Sequence, residues 1–187
     1  MNLNKLRDKA YQCAVAHGWH EEELSNEHFL CLVISELMEA VEADRKERHA
    51  DVAKFNEWQG NSIPLTEETR LRRFKEDFEA YIKGTVEEEL ADACIRLLDL
   101  AGLRNIDMND RFIIAYIVSG KKTFTENIYA VLKDIVNYRY SFEGCLNYSI
   151  RQIIELSRIK GIEIEWFINQ KMKYNELRPY KHGDKSY

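Results

Sequence analysis

Two short acidic segments hold the residues best suited to chemistry. Glu36-Leu37-Met38-Glu39-Ala40 and Glu89-Leu90-Ala91-Asp92-Ala93 share one order: Glu, Leu, any residue, an acid, Ala. On a helix, positions three apart lie roughly 60° apart around the axis, so each segment aims two carboxylates the same way. The chain has 32 acidic residues, and the same spacing recurs at Glu76 and Glu79 on a charged stretch. The surroundings distinguish the first two segments. Leu30, Val33, Leu37 and Val41 form one apolar stripe, and Glu36 interrupts a second made of Phe29, Leu32, Ala40 and Ala43. Glu89 and Asp92 border a stripe of Val86, Leu90, Cys94, Leu97 and Ala101 in the same way. Both pairs therefore edge faces that a helical bundle buries.

Facing one another, these helices bring together Glu36, Glu39, Glu89 and Asp92. Two like charges 4 Å apart repel by about 4 kcal/mol at an effective dielectric near 20, so the cluster needs protons or a cation. Oxygen-only ligands select a hard ion, Mg²⁺ with Mn²⁺ as a substitute. A di-iron bundle needs an acid three residues before a histidine, and none of the 5 histidines has one. The competing reading is two unrelated charged helix rims. Near the other end, Lys171, Asn175 and Arg178 are spaced i, i+4, i+7 along one side of a helix. A cation, an amide and a guanidinium so aligned suit an anionic ligand such as phosphate. A basic last turn that complements the helix dipole has the same composition.

Helices must position these groups, since apolar residues recur at helical spacing almost throughout. The pattern predicts helices over 4–17, from Ser25 or Asn26 to about 48, over 66–83, over 85–104, and near 125–139, 142–159 and 163–178. Between Asp51 and Pro64 it dissolves into polar residues. Leu71, Phe74, Phe78 and Tyr81 mark the apolar side of the 66–83 helix, and Thr85 with Glu88 is a capping-box pair. No alternating strand pattern of useful length occurs, so the fold class is all-α. Ile128, Val131, Leu132, Ile135, Leu146, Ile150, Ile153 and Ile154 either complete the core or face a partner.

Composition agrees with this reading. Of 187 residues only 2 are proline and 8 glycine, too few breakers for a turn-rich β fold. A formal charge of −5 lacks the basic footprint of a protein bound to duplex nucleic acid. No stretch reaches the ~20 apolar residues that span a bilayer, and Met1 to Lys5 open without an apolar leader core. A cytoplasmic location with no membrane partner is expected, with Cys13, Cys31, Cys94 and Cys145 as small buried thiols.

Taken together, the acidic pairs and the C-terminal spacing resemble the MazG-like all-α nucleoside triphosphate pyrophosphohydrolases. The resemblance rests on Glu36/Glu39, Glu89/Asp92 and Lys171-x-x-x-Asn175-x-x-Arg178 in that order. It implies a single helical bundle over 1–187, with an insertion at about 50–83 because the connection from Glu39 to Glu89 is longer than the family usually shows. It implies Mg²⁺ on Glu36, Glu39, Glu89 and Asp92, and cleavage between the α- and β-phosphates to a nucleoside monophosphate and pyrophosphate. Lys171, Asn175 and Arg178 then hold phosphate or sugar oxygens, with Lys181 and His182 as weaker contributors. Trp19 is a base-stacking candidate or a core residue. Arg70, Arg72 and Arg73 either touch phosphate or form a solvated face. Family members generally assemble as homodimers or homotetramers. Asp184 stands where many relatives carry a basic or small residue. The alternative is a non-catalytic helical module that senses nucleotides or binds proteins.

Overall fold

The computed structural model describes residues 1–57, 66–108, 122–138 and 141–181. Among them the regular structure is all helical: α1 Leu3–Ala16, α2 Asn26–Arg45, α3 Val52–Asn56, α4 Glu67–Tyr81, α5 Val86–Leu103, α6 Phe124–Val136, α7 Phe142–Ile159 and α8 Ile164–Glu176. No helix among these residues is long and apolar enough to cross a membrane.

The helix ends follow from local chemistry. Asn2, Ser25, Asp51, Thr66, Thr85, Thr123 and Ser141 each present a side-chain oxygen to a backbone N–H of the first turn. Such caps each stabilise a helix by about 1 kcal/mol. At the far end of α2 the chain stops at Arg45, short of the expected position 48. Glu47 turns left-handed (φ 53°), and the N–H groups of Glu47 and Arg48 bond back to Asp44 and Ala43. The same closure ends α5 at Asn105 (φ 52°). Glycine normally signals this motif. With Glu at the turning position, nothing in the sequence marked the stop.

Helix α5 is the axis of the fold and packs against α1, α2, α7 and α8. Leu90, Ala93, Cys94, Leu97, Leu98, Leu100 and Ala101 are wholly buried. Gly102 lets α1 approach: a methyl there would lie 2.5 Å from the Cβ of Tyr11. Most of the apolar positions expected in the last three helices fill this chain's own core, and only Leu132 and Ile154 stay half-buried. Cys94 and Cys145 are buried as expected. Cys13 is half-buried and Cys31 exposed, because position 31 lies on the solvent side of α2.

The long connection between α2 and α5 folds back onto the bundle. Where the sequence suggested only polar coil, α3 forms a single turn capped by Asp51 and buries Phe55 completely. Five residues are too few to show a periodicity. Phe55 meets Phe74, Phe78 and Trp166, and Phe78 stacks on Tyr174 of α8 at 4.4 Å and 15°. Leu71 and Tyr81, expected on the apolar side of α4, are half-buried because this aromatic cluster centres on Phe74 and Phe78. Arg72 and Arg73 are exposed, and Arg72 lies beside Glu76. Phe78→Ala should lower unfolding free energy by about 3–5 kcal/mol in urea titrations, the usual cost of a buried aromatic cavity. A loosely attached insert would lose under about 0.5 kcal/mol.

Candidate metal and nucleotide site

Helices α2 and α5 face one another through ridges of equal spacing. Phe29, Leu32, Glu36 and Glu39 on α2, and Glu89, Asp92, Arg96 and Asp99 on α5, all line one cavity of about 520 Å³. The ridges run in opposite senses, with the charge of Glu39 acting on Glu89 and Glu36 paired with Arg96. Near the other end, Phe29 lies against His20, which bonds Asp99. Helices α1 and α8 close the sides with Cys13 and Asn175 among others, His17 follows at the end of α1, and the insert adds Glu79 and Lys83.

Oxygens of Glu36, Glu89 and Asp92 lie within 4.8 Å of one another, with Glu36 and Glu89 buried. Glu39 lines the same cavity but is exposed and stands outside this group of three. Its offset around the helix from Glu36 carries it toward solvent.

The electrostatics follow from crowding. Burial first, then the charges of Glu88, Asp92 and Glu39, push the Glu89 carboxyl up to about 9. Burial and the Asp92 charge push Glu36 up to about 7, against the opposing pull of Arg96. Arg96 donates from Nε to Glu36 Oε1 at 2.5 Å. For Asp92, burial acts upward, but the Lys171 ammonium and the Arg96 guanidinium outweigh it and hold the carboxyl below its usual range.

Lys171 lines the cavity beside Asn175 and Arg178, on the face its spacing suggested, but its ammonium is already paired. Its ammonium is buried between Glu88 and Asp92, 2.7 Å from Asp92 Oδ2 and hydrogen-bonded to Glu88 Oε1. Burial alone would lower its pKa, and the two carboxylates raise it instead. Lys171 is thus an internal counter-ion on the same cavity wall as Asn175 and Arg178. The Arg178 carbonyl accepts from His17 Nε2, and the Oδ1 of Asn175 is buried without a hydrogen-bond partner among the described residues. Lys181 does not line the cavity, because its ammonium pairs with Glu21 at 2.9 Å. Trp19 is half-buried on the cavity wall, so it is not a core residue. His182 lies outside the described residues.

Three contributors escaped the sequence reading. Glu88 does more than cap: one oxygen accepts from the Gly84 N–H at 2.8 Å and the other binds Lys171. Gly84 is left-handed (φ 70°), which brings that N–H within reach. Arg96 falls at the next ridge position after Asp92, a signal visible once the ridge is recognised. The His20–Asp99 bond, 2.7 Å from Nε2 to Oδ1, joins residues 79 apart and had no local signature.

No protein-family model matches this chain, and neither a curated protein nor a solved structure matches it.

Two predictions follow from the charges. Because Glu36 and Glu89 keep protons in the fold that the unfolded chain releases above about 4.5, their shifts destabilise the protein as pH rises. In chelator, stability should fall between pH 5 and pH 9; Glu36→Gln should roughly halve the slope below pH 7, whereas Glu89→Gln should halve it there and abolish it between pH 7 and pH 9. Denaturant midpoints across that range provide the check. Lys171→Met should cost about 3–5 kcal/mol at pH 7, since it strands the buried Glu88 carboxylate and the half-buried Asp92. If Lys171 only waited for an incoming anion, the same variant would lose under about 1 kcal/mol.

Proposed function

We propose that this chain is a Mg²⁺-dependent nucleoside triphosphate pyrophosphohydrolase of the MazG-like type. The observation that carries the reading is the convergence of Glu36, Glu89 and Asp92, from two distant helices, on one wall of a nucleotide-sized cavity. Mg²⁺ binds oxygens at about 2.0–2.1 Å, so the three carboxylates need only a small contraction to share an ion. The donor set is hard oxygen throughout and fits Mg²⁺ or Mn²⁺.

Glu36, Glu89 and Asp92 would hold the ion, which when bound neutralises phosphate charge and activates water for attack. Arg96 and Lys171 fix Glu36 and Asp92 in place before substrate arrives, so little reorganisation accompanies the reaction. Glu39, outside the trio but on the same wall, takes the proton of the attacking water. Arg178, with Arg48 and Lys83 at the rim, supplies the positive charge for phosphate oxygens. Asn175 contributes an amide toward the sugar, and Trp19 a flat face toward the base. Attack at the α-phosphorus then releases the monophosphate and pyrophosphate.

The test is pyrophosphate release from a panel of nucleoside triphosphates that includes phosphoribosyl-ATP, with and without Mg²⁺. Release from at least one substrate is expected, with Glu36→Gln and Asp92→Asn each falling at least 100-fold while circular dichroism stays unchanged. Mg²⁺ at millimolar concentration should raise the melting temperature of the wild type, because the ion binds the native state alone. Full activity in both variants, or no release from any substrate, rejects the proposal and leaves a nucleotide-sensing or interaction module.

A further inference from the structure

The ridge on α5 continues beyond the acidic end of the cavity to Asp99, a carboxylate with no part in the chemistry above. Asp99 lies seven residues past Asp92, roughly 10 Å along the helix axis. A nucleotide whose α-phosphate sits near Asp92 places its base at that depth. The wall there is apolar and aromatic, formed by Trp19, Phe29, Leu32 and Ile95.

We infer that Asp99, held by His20, reads the base and selects one that presents an exocyclic amino group to it. The inference rests on the nucleotide reading of the cavity. His20 is fixed from both sides, its ring 5.4 Å from Tyr11 in a stacked arrangement and 5.8 Å from Phe29. Its Nε2 faces Asp99 Oδ1 at 2.7 Å, and its Nδ1 is buried without a hydrogen-bond partner among the described residues. The ring hydrogen therefore belongs on Nε2, where it donates to Asp99. This leaves the carboxylate as a pure acceptor whose side chain retains 17% exposure, on the cavity.

An acceptor fixed at that depth hydrogen-bonds an amino group. A carbonyl at the same place on the base sets oxygen against oxygen, with neither group able to reach water. Sites built around a buried polar partner discriminate strongly against the analogue that cannot complete the bond. Cytosine over uracil, and adenine over hypoxanthine, are the pairs that exchange amino for carbonyl at this place. The neighbouring ring nitrogen changes with it from acceptor to N–H donor, so selection requires that Asp99 face the exocyclic group and not the ring N–H.

The experiment is calorimetric binding of dCMP, dUMP, dAMP and dIMP, at one Mg²⁺ concentration, to the wild type and to Asp99→Asn. In each pair that binds, the amino member should bind at least tenfold tighter to the wild type. Asp99→Asn, whose amide can donate to a carbonyl, should bring that ratio below threefold or reverse it. Equal affinities within every pair, or no binding of any of the four, overturn the inference even if the variant does not fold. An unchanged ratio in a folded Asp99→Asn does so too. Base-selective binding without pyrophosphate release keeps this inference and rejects hydrolysis, whereas release without base selectivity does the reverse.

Discussion

Glu88 and Asp92 place two carboxylates one turn apart on α5, Glu88 buried and Asp92 with only 17% of its side chain exposed, where water screens them poorly. Such charges are tolerated only when a partner of opposite sign is buried with them. Lys171 is that partner, and it comes from a helix 83 residues away. Its position draws α8 against α5 and carries Asn175 and Arg178 onto the cavity wall. The same contact fixes Asp92 at the edge of the trio of oxygens. Arg96 does the corresponding work for Glu36 across the α2–α5 interface. Positive and negative groups therefore alternate through the seam, and the excess of negative charge is left at one point, beside the cavity.

The helical architecture was legible because apolar spacing and caps agree along nearly every segment. Glu36, Glu89 and Asp92 were legible for a related reason, since each carboxylate interrupts or borders a stripe that has to be buried. Spacing alone fixes the face on which a side chain stands but not what it meets. Lys171 shows the difference: the face was right, yet its neighbour is a pair of carboxylates. Glu39 was grouped with the other acids although its angular offset leads to solvent. Glu88 looked like a simple capping residue because its second partner is remote in the chain.

The end of α2 and the turn at α3 were illegible on other grounds. A left-handed residue at a helix end announces itself when it is glycine, and at the end of α2 it is Glu47. The turn at α3 is held by tertiary contact through Phe55, since helices this short do not persist on propensity alone. That contact makes the connecting segment a structural part of the cavity, because the same aromatic cluster that receives Phe55 holds α4, which supplies Glu79 to the wall and is followed by Lys83.

Gly102 has a mechanical meaning that its size alone does not convey. It is the point where α1 rests on α5, through Tyr11. Tyr11 lies near the middle of α1, and the segment beyond it ends at His17 and Trp19, roughly 10 Å farther along. The contact is a fulcrum. A side chain at 102 would tilt α1 about that pivot, and the tilt would be magnified at the His17–Trp19 lip, so a residue outside the cavity sets the width of its mouth.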